Sequence, residues 1–390
     1  MFSFRGDVLP SKSWLNRALV MQHFNPYLNF RSDSRSEDVL VLKEALKNIN
    51  TTQSFDLGLG GTSLRFFTFA VSRRPGHWVI HAGERLMQRP QQELINVLAQ
   101  LGVIAEFTPL GLQLHSKGWK SDSLVKVQAD LSSQFISGLL LSCWNLEFDL
   151  EIEIKKPITS FGYLKMTIEL LLLSGMNLQI IETDHSYFCR VPKQQKADVN
   201  SLTAEMDVSS AFSLAAAAVV AGQVEITNWN EISSQPDLEF LQIFKKMEIL
   251  FEIRNGSFFI SRQNSWQPVE WNLNNSPDLF PVLAVLCGFA DGVSTLYGAA
   301  QLKSKESDRI AKTHELLQLA GIRSELLSDG LKIFGSSASS NVAAFSFDPD
   351  SDHRMAMAAA LLKLKSFPVE ILSPEVVNKS YPDFWKDIGL

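Results

Sequence analysis

The fold class this 390-residue sequence predicts is α/β, built from repeats that mix strands and helices. Three observations predict it. First, Asp130-Leu131-Ser132-Ser133-Gln134-Phe135 runs into the apolar stretch 136–143, and Asp207-Val208-Ser209-Ser210-Ala211-Phe212 runs into 213–221, so both share the form Asp-apolar-Ser-Ser-x-Phe ahead of a helix suited to burial. Second, looser forms of the same junction start at Ser11, Gly61, Ser132, Ser209, Pro277 and Asp352, separated by 50, 71, 77, 68 and 75 residues. Six units of about 65 residues make a repeat architecture. Third, stretches of period-two alternation, the mark of half-buried strands, lie between the junctions.

Taken in order, Pro10-Ser11-Lys12-Ser13 precedes a helix over 14–22, and Gly60-Gly61-Thr62-Ser63 precedes one over 64–71. Trp78-Val79-Ile80-His81-Ala82 and Val125-Lys126-Val127-Gln128-Ala129 alternate as strands, as do Leu150-Glu151-Ile152-Glu153-Ile154 and Gln223-Val224-Glu225-Ile226. Asn275-Ser276-Pro277-Asp278 precedes a helix over 279–289, and Asp350-Ser351-Asp352 one over 353–364. Ser and Asp just ahead of an apolar run are helix N-cap signals, because their oxygens accept the unpaired N–H groups of the first turn.

The length favours two domains. A composition 45% hydrophobic and 20% charged suits a soluble globular chain, and a net charge of −6 argues against sequence-independent nucleic-acid binding. The N-terminal residues carry no signal-like apolar run, and the most apolar stretch, 214–220, is too short to span a bilayer. Cys143, Cys189 and Cys287 are isolated and read as reduced core thiols of a cytoplasmic protein. Among the histidines only His77 and His81 have a metal-like spacing, but four strand residues span about 13 Å, so no metal site is expected.

The junctions hold cations that a core has no use for. Helix N-termini attract phosphate and carboxylate, and converging termini would make a cleft for anions. Ser13 and Arg17 are four apart and share a helix face, and Lys305 and Arg309 are expected to do the same. Gly61-Thr62 allows close backbone approach to a ligand, with Arg65 following.

In this order the junction residues resemble the 5-enolpyruvylshikimate-3-phosphate synthase family over nearly the whole chain. The matching runs are Ser11-Lys12-Ser13-x-x-Asn16-Arg17, Gly61-Thr62-x-x-Arg65, Glu84-Arg85 through Arg89-Pro90, Ser132-Ser133-Gln134-Phe135 and Ser160-x-x-Tyr163. Asp207-x-Ser209-Ser210-Ala211, Pro277-Asp278, Lys305-Glu306-Ser307-Asp308-Arg309, Asp352-His353-Arg354-Met355-Ala356-Met357 and Lys379-x-x-Pro382-Asp383 complete the set. The resemblance implies two similar domains, each of three βαβαββ units, with the active site in the interdomain cleft. The first would span 11–204, and the second 1–10 plus 205–390.

The implied reaction transfers the enolpyruvyl group of phosphoenolpyruvate to the 5-hydroxyl of shikimate 3-phosphate. By the same resemblance, Ser13, Arg17, Ser132, Ser133, Gln134, Ser160, Tyr163, Asp278, Gln301 and Lys305 hold shikimate 3-phosphate. Lys12, Gly61, Arg89, Gln134, Arg309, Arg354 and Lys379 hold phosphoenolpyruvate. Asp278 and Lys305 take the hydroxyl proton, Glu306 serves the methylene carbon, and Lys12 completes the catalytic set. No metal or organic cofactor, no nucleic acid and no membrane is implied, and a monomer is expected. Leu59 departs from the pattern by standing where the family usually has Asn, and Gln301 stands for a frequent Asn. Two alternatives stand beside this reading: a homologue that binds a phosphorylated ligand without turnover, and the sister transferase acting on UDP-N-acetylglucosamine, which shares the fold and phosphoenolpyruvate but lacks the Lys305–Arg309 and Asp352–Met357 runs.

Overall fold

The structure is a computed structural model that describes residues 2–30, 34–120, 123–335 and 342–390. The chain forms two compact units, one of Met1–Leu9 with Glu205–Leu390 and the other of Pro10–Ala204. Pro10 therefore goes with the residues after it, one position from the expected boundary.

In the Pro10–Ala204 body, one sheet runs in the spatial order Ser54–Asp56, Pro75–His81, Gly111–Lys117, Ile104–Thr108. The first pair is parallel and the other two are antiparallel. A second sheet repeats the pattern with Val125–Gln128, Leu150–Lys155, Ser186–Val191 and Gln179–Glu182. A parallel pair needs a crossover, and the helices Gly61–Ser72 and Gln134–Leu141 supply the two crossovers here. Asn29–Phe30 and Ser201–Leu202 form a third, two-stranded parallel sheet.

The other body repeats this plan. Phe2–Gly6, Gly222–Ile226, Ser257–Ser261 and Phe251–Arg254 form one sheet, and Glu270–Asn272, Gly292–Tyr297, Leu331–Gly335 and Ser324–Leu326 the next. Phe2–Gly6 lies parallel to Gly222–Ile226, with Phe2 opposite Gly222. Phe345–Phe347 and Val369–Ile371 make the two-stranded sheet. So, among the described residues, the third unit of each body carries two strands rather than the four of a full βαβαββ unit. After Ile371 the chain turns instead through Pro374–Lys379 and Phe384–Asp387.

Each core is built on central helices. Val208–Ala221, Phe280–Gly288 and His353–Leu364 pack on one another in one body, and Lys12–Phe24, Gly61–Ser72 and Gln134–Leu141 in the other. Every residue of Phe280–Gly288 is buried, as is every residue from Val208 to Val220. A helix apolar on all sides has no face to offer water, so it fills the middle of a body. The strands beside it alternate in burial, as Val125–Gln128 does at each step.

The helix starts follow local chemistry. Ser11 Oγ accepts from Trp14 N at 3.3 Å, Asp207 Oδ1 from Ser210 N at 2.7 Å and Asp352 Oδ1 from Arg354 N at 2.9 Å. One expectation fails: Lys305 and Arg309 do not share a helix. That helix, Arg309–Leu319, starts at Arg309 because Asp308 caps it, accepting from Ala311 N at 3.1 Å. Lys305 and Glu306 lie in the turn before it, where the polar run Lys-Glu-Ser-Asp offers no apolar face to bury.

Candidate active site

The candidate residues form two sets, one on each body. In the Pro10–Ala204 body, Arg17 projects from the first turns of Lys12–Phe24 and is buried at 2% exposure. Each of its three nitrogens donates to a neutral oxygen. Its Nε donates to Thr167 Oγ1 at 2.7 Å, Nη1 to Ser13 O at 2.7 Å and Nη2 to Tyr163 O at 2.9 Å. Burial pushes the guanidinium down to about 9, with the Tyr163 phenol opposing the shift. Ser160 caps the Phe161–Leu173 helix in a left-handed conformation, one turn before the Tyr163 carbonyl that Arg17 grips.

Arg65 is handled the same way. Its Nη1 donates to Gln134 Oε1 at 2.6 Å and to Ser132 Oγ at 3.4 Å, while Nε donates to Gln91 Oε1 at 3.0 Å. Gln134 Nε2 then donates to Thr62 Oγ1 at 3.0 Å, which ties the Gly61 and Gln134 helix starts together. Ser133 is buried as the N-cap residue of Gln134–Leu141. Lys12 Nζ donates to Asp38 Oδ2 at 3.0 Å, and Asp38 is itself buried.

Arg89 lies against the start of the Gly61–Ser72 helix. A Cβ on Gly61 would stand 2.8 Å from Arg89 Nη1, so only glycine lets the guanidinium come this close. A helix N-terminus carries partial positive charge, so this places two positive groups together, an arrangement an anion stabilises. Leu59 lies over Gly83, where a Cβ would meet its Cδ2 at 2.3 Å.

The second set is organised around carboxylates. Arg309, 1% exposed, donates from Nε to Asp352 Oδ2 at 2.7 Å, from Nη1 to Asp278 Oδ1 at 2.7 Å and from Nη2 to Glu306 Oε2 at 3.3 Å. Lys379 Nζ donates to the other Glu306 oxygen at 2.8 Å, and Arg354 Nη2 lies 3.5 Å from Asp278 Oδ2. Burial pulls Arg309 and Arg354 down. For Arg309, Asp352, Glu306 and Asp278 outweigh that pull and hold it well above the ordinary arginine value. Arg354 is likewise raised, by Asp278, Asp207 and Asp237. Gln301 Nε2 donates to Asn274 O at 3.3 Å, two residues before the Ser276 that precedes the Pro277–Leu279 turn. Lys305 follows the Ala300–Ser304 turn directly.

Sequence reasoning missed several partners. Thr167, Asp38 and Gln91 hold Arg17, Lys12 and Arg65 from positions far along the chain. Asp352 was legible as a cap but not as the buried partner of Arg309. Asp237 was not singled out at all. It is 2% exposed, accepts from Ser209 Oγ, and burial with the nearby Asp278 charge pushes it up to about 7. Its one local signal is Pro236-Asp237 opening a helical turn.

Two bodies of βαβαββ repeats, with cations at their helix starts, define the enolpyruvyl-transferase fold. EPSP synthase from Acinetobacter baumannii superposes with a TM-score of 0.76 at 20% identity, over 100% of this chain and 95% of that one. The enolpyruvyl transferase NikO from Streptomyces tendae superposes at 0.73 with 14% identity, over 99% and 94%. Within that class, the model of the EPSP synthase (3-phosphoshikimate 1-carboxyvinyltransferase) family matches residues 26–388, and the chain belongs to this family. The 3-phosphoshikimate 1-carboxyvinyltransferase of Syntrophobacter fumaroxidans is 33% identical over 89% of this chain and 82% of its own length. That of Archaeoglobus fulgidus is 30% identical over 98% and 95%. The chain is thus a transferase of the shikimate pathway that moves an enolpyruvyl group. Among the described residues no helix is long and apolar enough to cross a membrane.

Proposed function

We propose that both sets of residues serve one reaction, in which the 5-hydroxyl of shikimate 3-phosphate adds to C2 of phosphoenolpyruvate. A proton goes to the C3 methylene, giving a tetrahedral intermediate. Phosphate then leaves C2 as a C3 proton is removed, which restores the double bond.

Two substrates, each with a phosphate and a carboxylate, bring about six negative charges. Arg17, with Ser13, Ser132, Ser133, Gln134, Ser160 and Tyr163, takes shikimate 3-phosphate. Lys12, Arg89, Arg354, Arg309 and Lys379, with the Gly61 backbone and Gln134, take phosphoenolpyruvate. Asp278, Gln301 and Lys305 orient the attacking hydroxyl. The observation that carries the reading is Arg309. This one buried guanidinium joins Asp278 to Glu306, two carboxylates whose side chains keep 23% and 14% exposure. Asp278 and Lys305 receive the hydroxyl proton, and Glu306 gives and then takes the carbon proton. Anions that draw Lys379 and Arg309 toward themselves loosen their grip on Glu306, so that it can carry a proton. Fixed cations stabilise the charge that builds on the intermediate.

The enzyme acts as a cytoplasmic monomer in this reading. The three cysteines, free and buried, suit a reducing compartment. Steady-state phosphate release with both substrates tests the residue roles. Glu306→Ala is expected to lower kcat by about 10²–10⁴-fold. Lys12→Ala is expected to raise the KM for phosphoenolpyruvate on the order of 10–100-fold, a loss of about 1.4–2.7 kcal/mol. Unchanged kinetics in both variants would overturn the assignment.

A further inference from the structure

A pair of imidazoles lies outside the machinery described above, on the solvent face of the first sheet of the Pro10–Ala204 body. His77 is on strand Pro75–His81 and His115 on the antiparallel strand Gly111–Lys117, directly opposite in register. Their inward neighbours, Trp78 and Leu114, are buried, so both rings project outward. The ring centroids are 4.0 Å apart with planes inclined at 35°. His115 Nδ1 is 2.8 Å from His77 Nε2 and 3.1 Å from His77 Nδ1.

We propose that His77 and His115 form a binding site for one divalent transition-metal ion of the kind imidazole prefers: copper, nickel or zinc. Imidazole nitrogens bind such ions at about 2.0–2.1 Å, so two of them on one ion stand about 2.9–3.3 Å apart at right-angled to tetrahedral geometry. The nitrogens already lie close to that separation. The ladder holds the two Cα atoms opposite each other, and only the side-chain torsions remain to be set. His77 is exposed and His115 half-buried, so each ring can turn its lone pair toward a shared ion without disturbing the core. No group of three or more His, Cys, Asp or Glu suited to a metal occurs among the described residues. Water completes the coordination shell, and affinity follows the order of the divalent series, copper above nickel and zinc. An ion held here ties the two strands together and stabilises the folded chain. The spacing of His77 and His81 along one strand hid this pair, because the partner of His77 lies across the ladder, 38 residues away.

The test titrates the untagged full chain with copper(II), read by electron paramagnetic resonance and by the thermal midpoint, beside His77→Gln, His115→Gln and His81→Gln. His81 is a control on the same strand; its Nε2 lies 3.2 Å from Ser54 Oγ. The expected result is one saturable ion per chain with two coordinating nitrogens, accompanied by a rise in Tm. Both signals are lost in His77→Gln and in His115→Gln and kept in His81→Gln. Metal-free Tm and phosphate release stay at the parent value in all three variants, which separates loss of the ion site from loss of fold. Copper binding that survives both single variants, or a parent with no saturable binding, overturns the proposal.

Discussion

Arg17 and Arg309 invite comparison: each projects from the start of a helix in its own body, and they are equally hidden, at 2% and 1% exposure. Yet burial lowers one, while the other is held well above the ordinary value. The difference lies in the partners. Arg17 rests on a hydroxyl and two carbonyls, Arg309 on three carboxylates. A buried cation on neutral oxygens keeps an unmet demand for negative charge. One on carboxylates is balanced by them, and in the proposed reaction it keeps them in place until phosphoenolpyruvate draws on it. In the proposed reaction Arg17 is thus suited to meet an anion, while Arg309 also steadies the proposed proton carriers Asp278 and Glu306.

The sharpest way to break this contrast is to remove each guanidinium. Arg309→Met leaves buried Asp352 uncompensated and is expected to cost about 3–5 kcal/mol of stability. Arg17→Met leaves no charge behind and is expected to cost no more than about 1–2 kcal/mol, while strongly raising the KM for shikimate 3-phosphate. Urea unfolding of both variants checks it, and equal losses would erase the distinction.

The next effect concerns Asp237. Its folded pKa, about 7, lies above the ordinary 3.8, so the folded chain keeps a proton that the unfolded chain releases. This contribution to stability is complete below pH 4 and is lost as pH rises toward 7, at no more than about 1.4 kcal/mol per pH unit. Asp237→Asn removes the titration, so its urea midpoint is expected to fall less than the parent's between pH 4.5 and 7. Parallel curves would contradict the assignment. The smallest effect is that of Gly61→Ala. The new methyl displaces Arg89 and is expected to raise the KM for phosphoenolpyruvate roughly fivefold, or about 1 kcal/mol. Kinetics at saturating shikimate 3-phosphate would show it.

What the sequence made legible was local. The caps at Ser11, Asp207 and Asp352 could be read because a cap reaches only two or three residues along the chain. The alternation of Val125–Gln128 could be read because a strand's two faces differ in apolarity. What stayed hidden depends on distant pairing. Thr167 finds Arg17 across 150 residues, and Asp352 finds Arg309 across 43. Among the described residues the third sheet of each body has two strands, and the pairing of Ser201 with Asn29, 172 residues apart, was hidden for the same reason. The Lys305–Arg309 expectation failed because a four-residue spacing says nothing of where a helix begins, and Asp308 decides that.

The parallel pairing of Phe2–Gly6 with Gly222–Ile226 has a consequence for how the chain is made. The two strands are 220 residues apart, with the whole Pro10–Ala204 body between them. At about 5–20 residues per second of synthesis, the early strand waits roughly ten to forty seconds on the ribosome for its neighbour. During that wait the intervening body has time to fold, while Phe2 and Phe4 remain open to chaperones and to stray strand edges.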